Sequence, residues 1–314
     1  MRRRKDSMPA SIAIGTMAYN EEANIGRLLD SMLAQSAGEL IRRIVVVASG
    51  CTDRTCEIVR RYQLKDSRIE LIAEAKRSGK VAAINEFLFS STEEILIVSS
   101  ADLVYAPRAL EELIAPFADP EVGMTGAHSI SSDAPTTFFG YAATLMWQLH
   151  HEISLQAPKM GELIAFRNVF RRLNPAIISD ELSVHQVVAS LGYKVVYVPD
   201  AIVYNKGAEN LEDFLSQRMR CIVGNLQIMR DHNVPISTMR IVPVMRAGLP
   251  YVYQNWRRFH WTAGTAALEL YCRLKGSMTY RSRKSHTRYK VWEPASTTKT
   301  LPADLEPTTP LRRG

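Results

Sequence analysis

The 314 residues are 46% hydrophobic and 23% charged, with 16 Gly and 15 Pro. Those proportions exclude a fibrous or wholly disordered chain and allow one large catalytic domain with an appendage. A formal charge of +7 admits nucleic acid, an anionic membrane or a phosphorylated substrate as partner, and no nucleic-acid-binding motif accompanies it.

The basic cluster Arg2–Lys5 precedes an apolar run, Ser11–Ala18, which leads directly into Asn20, Glu21 and Glu22. The run is read as a strand and not as a signal peptide. Ile41–Ala48, with Ile44, Val45, Val46 and Val47 unbroken, is the pattern of a strand covered on both faces. Between them, Glu22–Ala34 spaces Ile25, Leu28, Leu29, Met32 and Leu33 as a helix does. The alternation continues with a helix over Thr52–Tyr62, a strand Ile69–Ala73, a helix Lys80–Phe89 and a strand Ile95–Ser99. Strands alternating with helices predict a mainly parallel sheet with ligands at the carboxyl ends of its strands.

Further along, Ala109–Phe117 and Phe138–Gln156 read as helices around an extended Val122–Ile130. A short strand Leu163–Arg167, a helix Glu181–Leu191, a strand Lys194–Val198 closed by Pro199-Asp200, and a helix Leu211–Met229 follow. The longest uncharged stretch, Ala134–His151, contains Pro135, Gln148 and two histidines, and so reads as an internal helix, not a membrane span. After Asn233 the alternation fades. Trp256–Leu274 aligns Trp256, Phe259, Ala263, Ala266, Ala267, Leu270 and Leu274 on one helical face. The tail from Glu293, rich in Thr and Pro, is predicted to be disordered. The expected organisation is a catalytic domain over 10–232, a basic amphipathic helical region over 233–292 and a disordered tail over 293–314.

The chemistry is carried by four strand or loop ends. Ala18-Tyr19-Asn20-Glu21-Glu22 can stack and hydrogen-bond a nucleobase and ribose, or simply cap the next helix. In Ser49-Gly50-Cys51-Thr52-Asp53, either Thr52 or Asp53 also suits an N-cap. Arg77-Ser78-Gly79-Lys80 opens a helix with free N–H groups and a cation, which suits a diphosphate, although the first glycine of a P-loop is missing. Ile95–Asp102 is a buried strand delivering one carboxylate, as a divalent-cation site or as an ordinary turn.

In this order and spacing, these segments resemble family-2 glycosyltransferases with the GT-A fold, a Rossmann-like α/β sheet flanked by helices. Gly161–Arg167, Ser179-Asp180-Glu181 and Gln217-Arg218-Met219-Arg220 extend the resemblance over roughly residues 10–230, toward the processive-synthase-like branch. The resemblance implies donor contacts from Ala18, Tyr19, Glu21, Ser49, Asp53, Lys80, Ala101, Asp102, Gln217, Arg218 and Arg220. It implies Mg²⁺ or Mn²⁺ on Asp102, an acceptor channel lined by Gly161, Glu162 and Leu163, and a general base at Asp180 or Glu181. A nucleotide-sugar donor, a glycan or lipid-linked acceptor and inversion at the transferred carbon are implied with them. Arg218 and Arg220 could instead form a salt-bridged helix face.

The chain departs from the family pattern at four places. Ser100 replaces the first acid of the metal motif, Ala48-Ser49 stand where many relatives carry base-binding acids, Asp180-Glu181 reverses the usual order, and Cys221 replaces a tryptophan. The missing acid motivates a competing expectation, a catalytically silent nucleotide-sugar-binding scaffold; a nucleotidyltransferase is a third.

Between Arg240 and Lys290, eleven Lys/Arg face a single acid, Glu269, among Tyr251, Tyr253, Trp256, Trp261 and Tyr271. This composition predicts peripheral attachment to a membrane surface, against the alternative of a helix packed on the core with its basic face in water. The cysteines Cys51, Cys56, Cys221 and Cys272 form neither a CxxC pair nor a disulfide framework, which predicts a cytoplasmic protein at the inner membrane face.

Overall fold

The computed structural model describes residues 11–231, 235–281, 295–299 and 301. Its first half is the expected alternation: β1 (Ile12–Ala18), α1 (Ile25–Leu33), β2 (Ile41–Ser49), α2 (Thr55–Gln63), β3 (Ile69–Glu74), α3 (Lys80–Ser90) and β4 (Ile95–Ser100). β5 (Leu103–Tyr105), α4 (Ala109–Ile114), β6 (Val122–Ser131), α5 (Phe138–Gln156), β7 (Leu163–Arg167), α6 (Asp180–Ser190), β8 (Lys194–Asn205) and α7 (Leu211–Asp231) complete the α/β body. α8 (Ile241–Gln254) and α9 (Phe259–Arg281) lie against it.

The sheet runs β3-β2-β1-β4-β7-β6-β8-β5. β1 to β4 are mutually parallel where they pair, β7 runs antiparallel to β4 and β6, β8 is parallel to β6, and β5 is antiparallel to β8. The sheet is therefore parallel in its first half and mixed in its second. β8 continues seven residues past the expected stop at Val198. Its register against β6 shifts between Ala127 and His128, so the bulge takes up Pro199, which cannot donate to a ladder.

Both sheet faces are buried, which explains the unbroken apolar strands. Ile12 and Ile14 pack with Ile25, Leu28, Leu29 and Met32 of α1, while Ala13, Val45 and Val47 pack with Ile84, Phe87 and Leu88 of α3. α3 lies so close that a Cβ at Gly15 would stand 2.5 Å from the Phe87 ring. The buried apolar surface thus clamps β1 and β4 side by side and brings the loops after them to one edge.

α9 meets α7 through small residues: a Cβ on Gly276 would stand 2.7 Å from Ile222. Tyr141 of α5 ties the appendage down, bonding Thr262 at 2.6 Å and packing on Tyr251 and Trp261. The tail differs from expectation in one stretch. Ser296–Lys299 form a 3₁₀ turn, and Ala295, Thr298 and Leu301 are buried, because Thr297 bonds Asp213 and Leu301 bonds Asn24 and Arg27. The rest of the expected disordered tail lies outside the described residues.

Candidate active site

The loop after β1 turns at Asn20, whose φ of 52° is left-handed, a conformation Asn tolerates better than most residues. Its Oδ1 accepts the Thr52 N–H at 2.8 Å, and the Glu21 N–H donates to Thr55 at 2.8 Å, so the loops after β1 and β2 are laced together. Asp53 is part of that lacing: it accepts the Thr55 N–H and hydroxyl and the Glu22 N–H. Burial pushes the Asp53 pKa up, but these bonds outweigh it and hold the carboxyl below its usual range. Beside the loops, the Arg77 guanidinium lies 3.8 Å from the centre of the Tyr19 ring, and Ser49 accepts the Ser78 N–H at 3.2 Å.

Gly79, with φ of 96°, caps α3 where a side chain would be strained, and Lys80 follows at the helix N-terminus. Lys80 Nζ reaches Asp180 at 2.8 Å and Glu181 at 3.5 Å, both on the first turn of α6. Burial works against the ammonium, but the two carboxylates prevail and raise its pKa. Glu181 is raised as well, up to about 7, through burial first and then the charge of Asp180.

At the end of β4, Ser100 donates to Glu162 Oε2 at 2.6 Å, and Lys80 Nζ sits 3.4 Å from the Ser100 hydroxyl. Asp102 follows; burial and then the Glu162 charge raise its pKa, against Lys299 and Lys80. Lys299, from the far end of the chain, donates to the Tyr19 carbonyl at 2.9 Å and pairs with Glu21. Glu21 is nonetheless pushed up to about 7, by burial and then by Asp102.

Met17, Ala18, Tyr19, Glu21, Ser49, Arg77, Gly79, Lys80, Ser100, Ala101, Asp102, Glu162, Gln217, Arg220 and Lys299 line one cleft of about 930 Å³, counted to its open mouth. A helix N-terminus and four cations on its walls suit a diphosphate. Asp180 and Glu181 reach the cleft only through Lys80, with which both pair. Among the described residues no three His, Cys, Asp or Glu side chains are grouped to hold a metal. Asp102, Glu162 and the Ser100 hydroxyl are nevertheless hard oxygen donors, and Mg²⁺ is commonly held by one or two carboxylates together with substrate phosphates.

Six expected residues do not line the cleft: Asp180 and Glu181, which pair with Lys80, and Asp53, Arg218, Leu163 and Gly161. Asp53 is engaged in the loop lacing. Arg218 makes a two-pronged pair with Glu269 of α9 at 2.9 and 3.0 Å, the salt-bridged alternative noted above. Leu163 is buried in β7, and Gly161 faces Ser129, Trp147 and His150. Conversely, Arg77 stacks on Tyr19 without having been assigned a role, Glu162 lines the same cleft as Asp102 and its charge acts on that carboxyl, and Lys299 comes from a segment expected to be disordered. No local signal marks Lys299.

Residues 13–173, just over half the chain, match glycosyl transferase family 2. The chain belongs to that family. Within it, 102 residues are 33% identical to the dolichyl-phosphate beta-glucosyltransferase ALG5C of Trichomonas vaginalis, covering 31% of this chain and 30% of that protein. Over 238 residues the chain is 22% identical to the poly-beta-1,6-N-acetyl-D-glucosamine synthase of Staphylococcus aureus, covering 71% of this chain and 56% of that one. This family member thus spans between 30% and 56% of the length of these two relatives. The mannosyltransferase PcManGT from Pyrobaculum calidifontis superposes with a TM-score of 0.58 at 20% identity over 92% of this chain and 89% of that one. Glucosyl-3-phosphoglycerate synthase from Mycobacterium tuberculosis gives 0.50 at 16% identity over 72% and 80%. The GT-A architecture is shared with both. Asp180, Glu181 and α7 lie beyond the residues that match the family.

Proposed function

We propose that this chain transfers a sugar from a nucleotide-sugar to a hydroxyl acceptor by a single, inverting displacement. The observation that carries the proposal is the position of Lys80: one ammonium joins Asp180 and Glu181 to the cleft that Asp102 and Glu162 line. In this reading the base stacks on Tyr19, whose other neighbour is Arg77, and the ribose meets Glu21 and Ser49. The diphosphate lies at the N-terminus of α3 among Lys80, Arg220, Gln217 and Lys299. Glu181 takes the proton of the acceptor hydroxyl, the oxygen bonds to the sugar's anomeric carbon, and the carbon–oxygen bond to the diphosphate breaks with its electron pair on the departing phosphate. A base near pKa 7 is matched to that task, and Asp180 is the counter-ion that fixes Lys80. The proton passes to a carboxylate while the negative charge grows beside cations, so both ends of the displacement are stabilised.

Asp102 and Glu162 would hold a Mg²⁺ or Mn²⁺ ion. Such an ion supplies neutralisation of the leaving diphosphate. The structures of the mannosyltransferase with GDP-Man and Mn²⁺ and of the Mycobacterium tuberculosis synthase with Mn²⁺ and UDP support this assignment by analogy of fold. Glu162 supplies the second carboxylate whose absence from β4 motivated the silent scaffold. Asp102→Ala and Glu162→Gln should each lower turnover by about 100-fold or more, the scale on which one transition-state electrostatic contact acts. Each should also erase the extra thermal stabilisation that Mn²⁺ adds to donor binding, while the apo unfolding midpoint stays near wild type. Turnover equal with and without chelator in wild type would remove the metal from the proposal.

We place this chemistry in the cytoplasm, at a membrane surface with a glycan or lipid-linked acceptor. The four cysteines are free thiols, and among the described residues no helix is long and apolar enough to cross a membrane. Peripheral attachment through the basic appendage is the mode these features support.

A further inference from the structure

α9 is built inside out for a helix in water. Its inward positions are small or polar: Thr265, Cys272 and Gly276 are buried against the body. Its outward positions are large and apolar: Phe259, Leu270, Leu274 and Met278 are 58–72% exposed. At 100° per residue these four fall within a single stripe, filled between by exposed Ala263, Ala266 and Ala267. The stripe runs along a helix of 23 residues, roughly 35 Å at 1.5 Å per residue.

α8 repeats the arrangement. Ala247 is buried and Gly248 approaches Leu149 of α5, whereas Ile241, Val242, Met245, Leu249 and Tyr253 form one exposed stripe at 57–83% exposure. Trp256, 68% exposed, continues it into the 3₁₀ turn before α9. Soluble chains expose single apolar residues freely, but continuous stripes of this length mark a contact surface.

The charge around the stripes selects the occupant. Arg240, Arg246, Arg257, Lys275 and Arg281 are exposed. Glu269, the acid among residues 240–281, is taken up by Arg218 and Arg273. A second copy of the chain seated face to face would bring the same cations together, which opposes a two-fold contact. An anionic lipid surface complements both features at once: acyl chains for the stripe, headgroup phosphates for the cations, and a boundary region that accommodates Trp and Tyr.

We infer that α8 and α9 lie in the headgroup boundary of an anionic bilayer with these apolar stripes inserted, resting on the reading that the chain works at a membrane surface. Both helices pack on α5. The chain leaving α5 reaches Glu162 on the cleft wall within six residues. The docking face is therefore one helix away from the acceptor side of the cleft, and a lipid-linked acceptor would approach from the bilayer without crossing open solvent.

The test is co-sedimentation of the full chain with phosphatidylcholine vesicles, with and without phosphatidylglycerol. Wild type is compared with Met245→Glu/Leu249→Glu, with Leu270→Glu/Leu274→Glu and, as control, with Leu64→Glu, a residue 91% exposed just beyond α2. The expected result is binding that requires phosphatidylglycerol, weakens with salt, falls about tenfold or more in each pair variant and is unchanged in the control. Because the substituted side chains are exposed, all variants should unfold at the wild-type midpoint, which separates lost docking from lost folding. Binding of both pair variants at wild-type strength would overturn the face assignment and leave membrane attachment to another surface. No vesicle binding by wild type would overturn both, with sugar transfer in solution still standing. Self-association broken by the pair variants, without vesicle binding, would make the stripes a contact between copies and overturn the proposal.

Discussion

Glu181 combines burial, a like-charged neighbour and a cation, and its pKa near 7 has two separable consequences. In the proposed mechanism the deprotonated form is the base, so the rate should rise with pH through about 7. Glu181→Gln should lose about 10²–10⁴-fold in turnover, the usual worth of general base catalysis. Asp180→Asn removes the charge that lifts Glu181, so the acid limb of the remaining activity should move to lower pH. In stability the sign is opposite to that of a salt-bridged acid. Between the ordinary value of 4.5 and about 7 the folded chain holds a proton that the unfolded chain has released, so stability falls as pH rises through that window. Glu181→Gln should therefore be more stable than wild type near pH 8, with the gap closing near pH 4; equal denaturant midpoints at both ends would contradict the burial-driven shift. The expectation of a base at Asp180 or Glu181 came from the family resemblance, and the structure pairs both with Lys80 on the cleft wall. The raised pKa of Glu181 depends on burial first and then on the Asp180 charge, and the burial is not contained in a local window.

At the scale of elements, β7 and α5 have the bounds their apolar spacing predicts, because each pattern is set by what lies above and below the element. β8 overran its expected end since a bulge accommodated Pro199, and α8 falls inside the helical region expected over 233–292, within which no separate bounds were drawn for it. The stripe on Trp256–Leu274 was visible in the sequence, but its direction was not. The seam between α7 and α9 is tight at Gly276, so Gly276→Val should cost about 1–3 kcal/mol by overpacking against Ile222. The denaturant midpoint should fall with the slope unchanged. Glu269 holds Arg218 across the same seam, so the cleft-lining Gln217 and Arg220 beside it on α7 depend on α9 staying seated.

Across the whole molecule, the segment 295–301 closes the chain onto its beginning. Leu301 bonds Asn24 and Arg27, and Lys299 neutralises Glu21, across some 274–280 positions of sequence. Truncation after residue 294 would leave Glu21 buried without its cation, a loss of about 3 kcal/mol on the scale of broken buried pairs. The loss should be full near pH 8 and smaller near pH 5.5, where Glu21 takes up a proton. Unfolding midpoints of the truncated and full chains at the two pH values measure this; a deficit independent of pH would assign it to packing alone. The sequence by itself determined the alternating β and α elements, their order and the polar strand ends, because apolar periodicity and turn chemistry act over a few neighbouring residues. Only the tertiary structure decided that Glu162 stands beside Asp102, that Arg218 and Asp53 are held by other partners, that Lys299 enters the cleft and that α9 turns its apolar face outward. Each of these is settled by burial and charge between segments far apart in the chain, and no local pattern encodes such contacts.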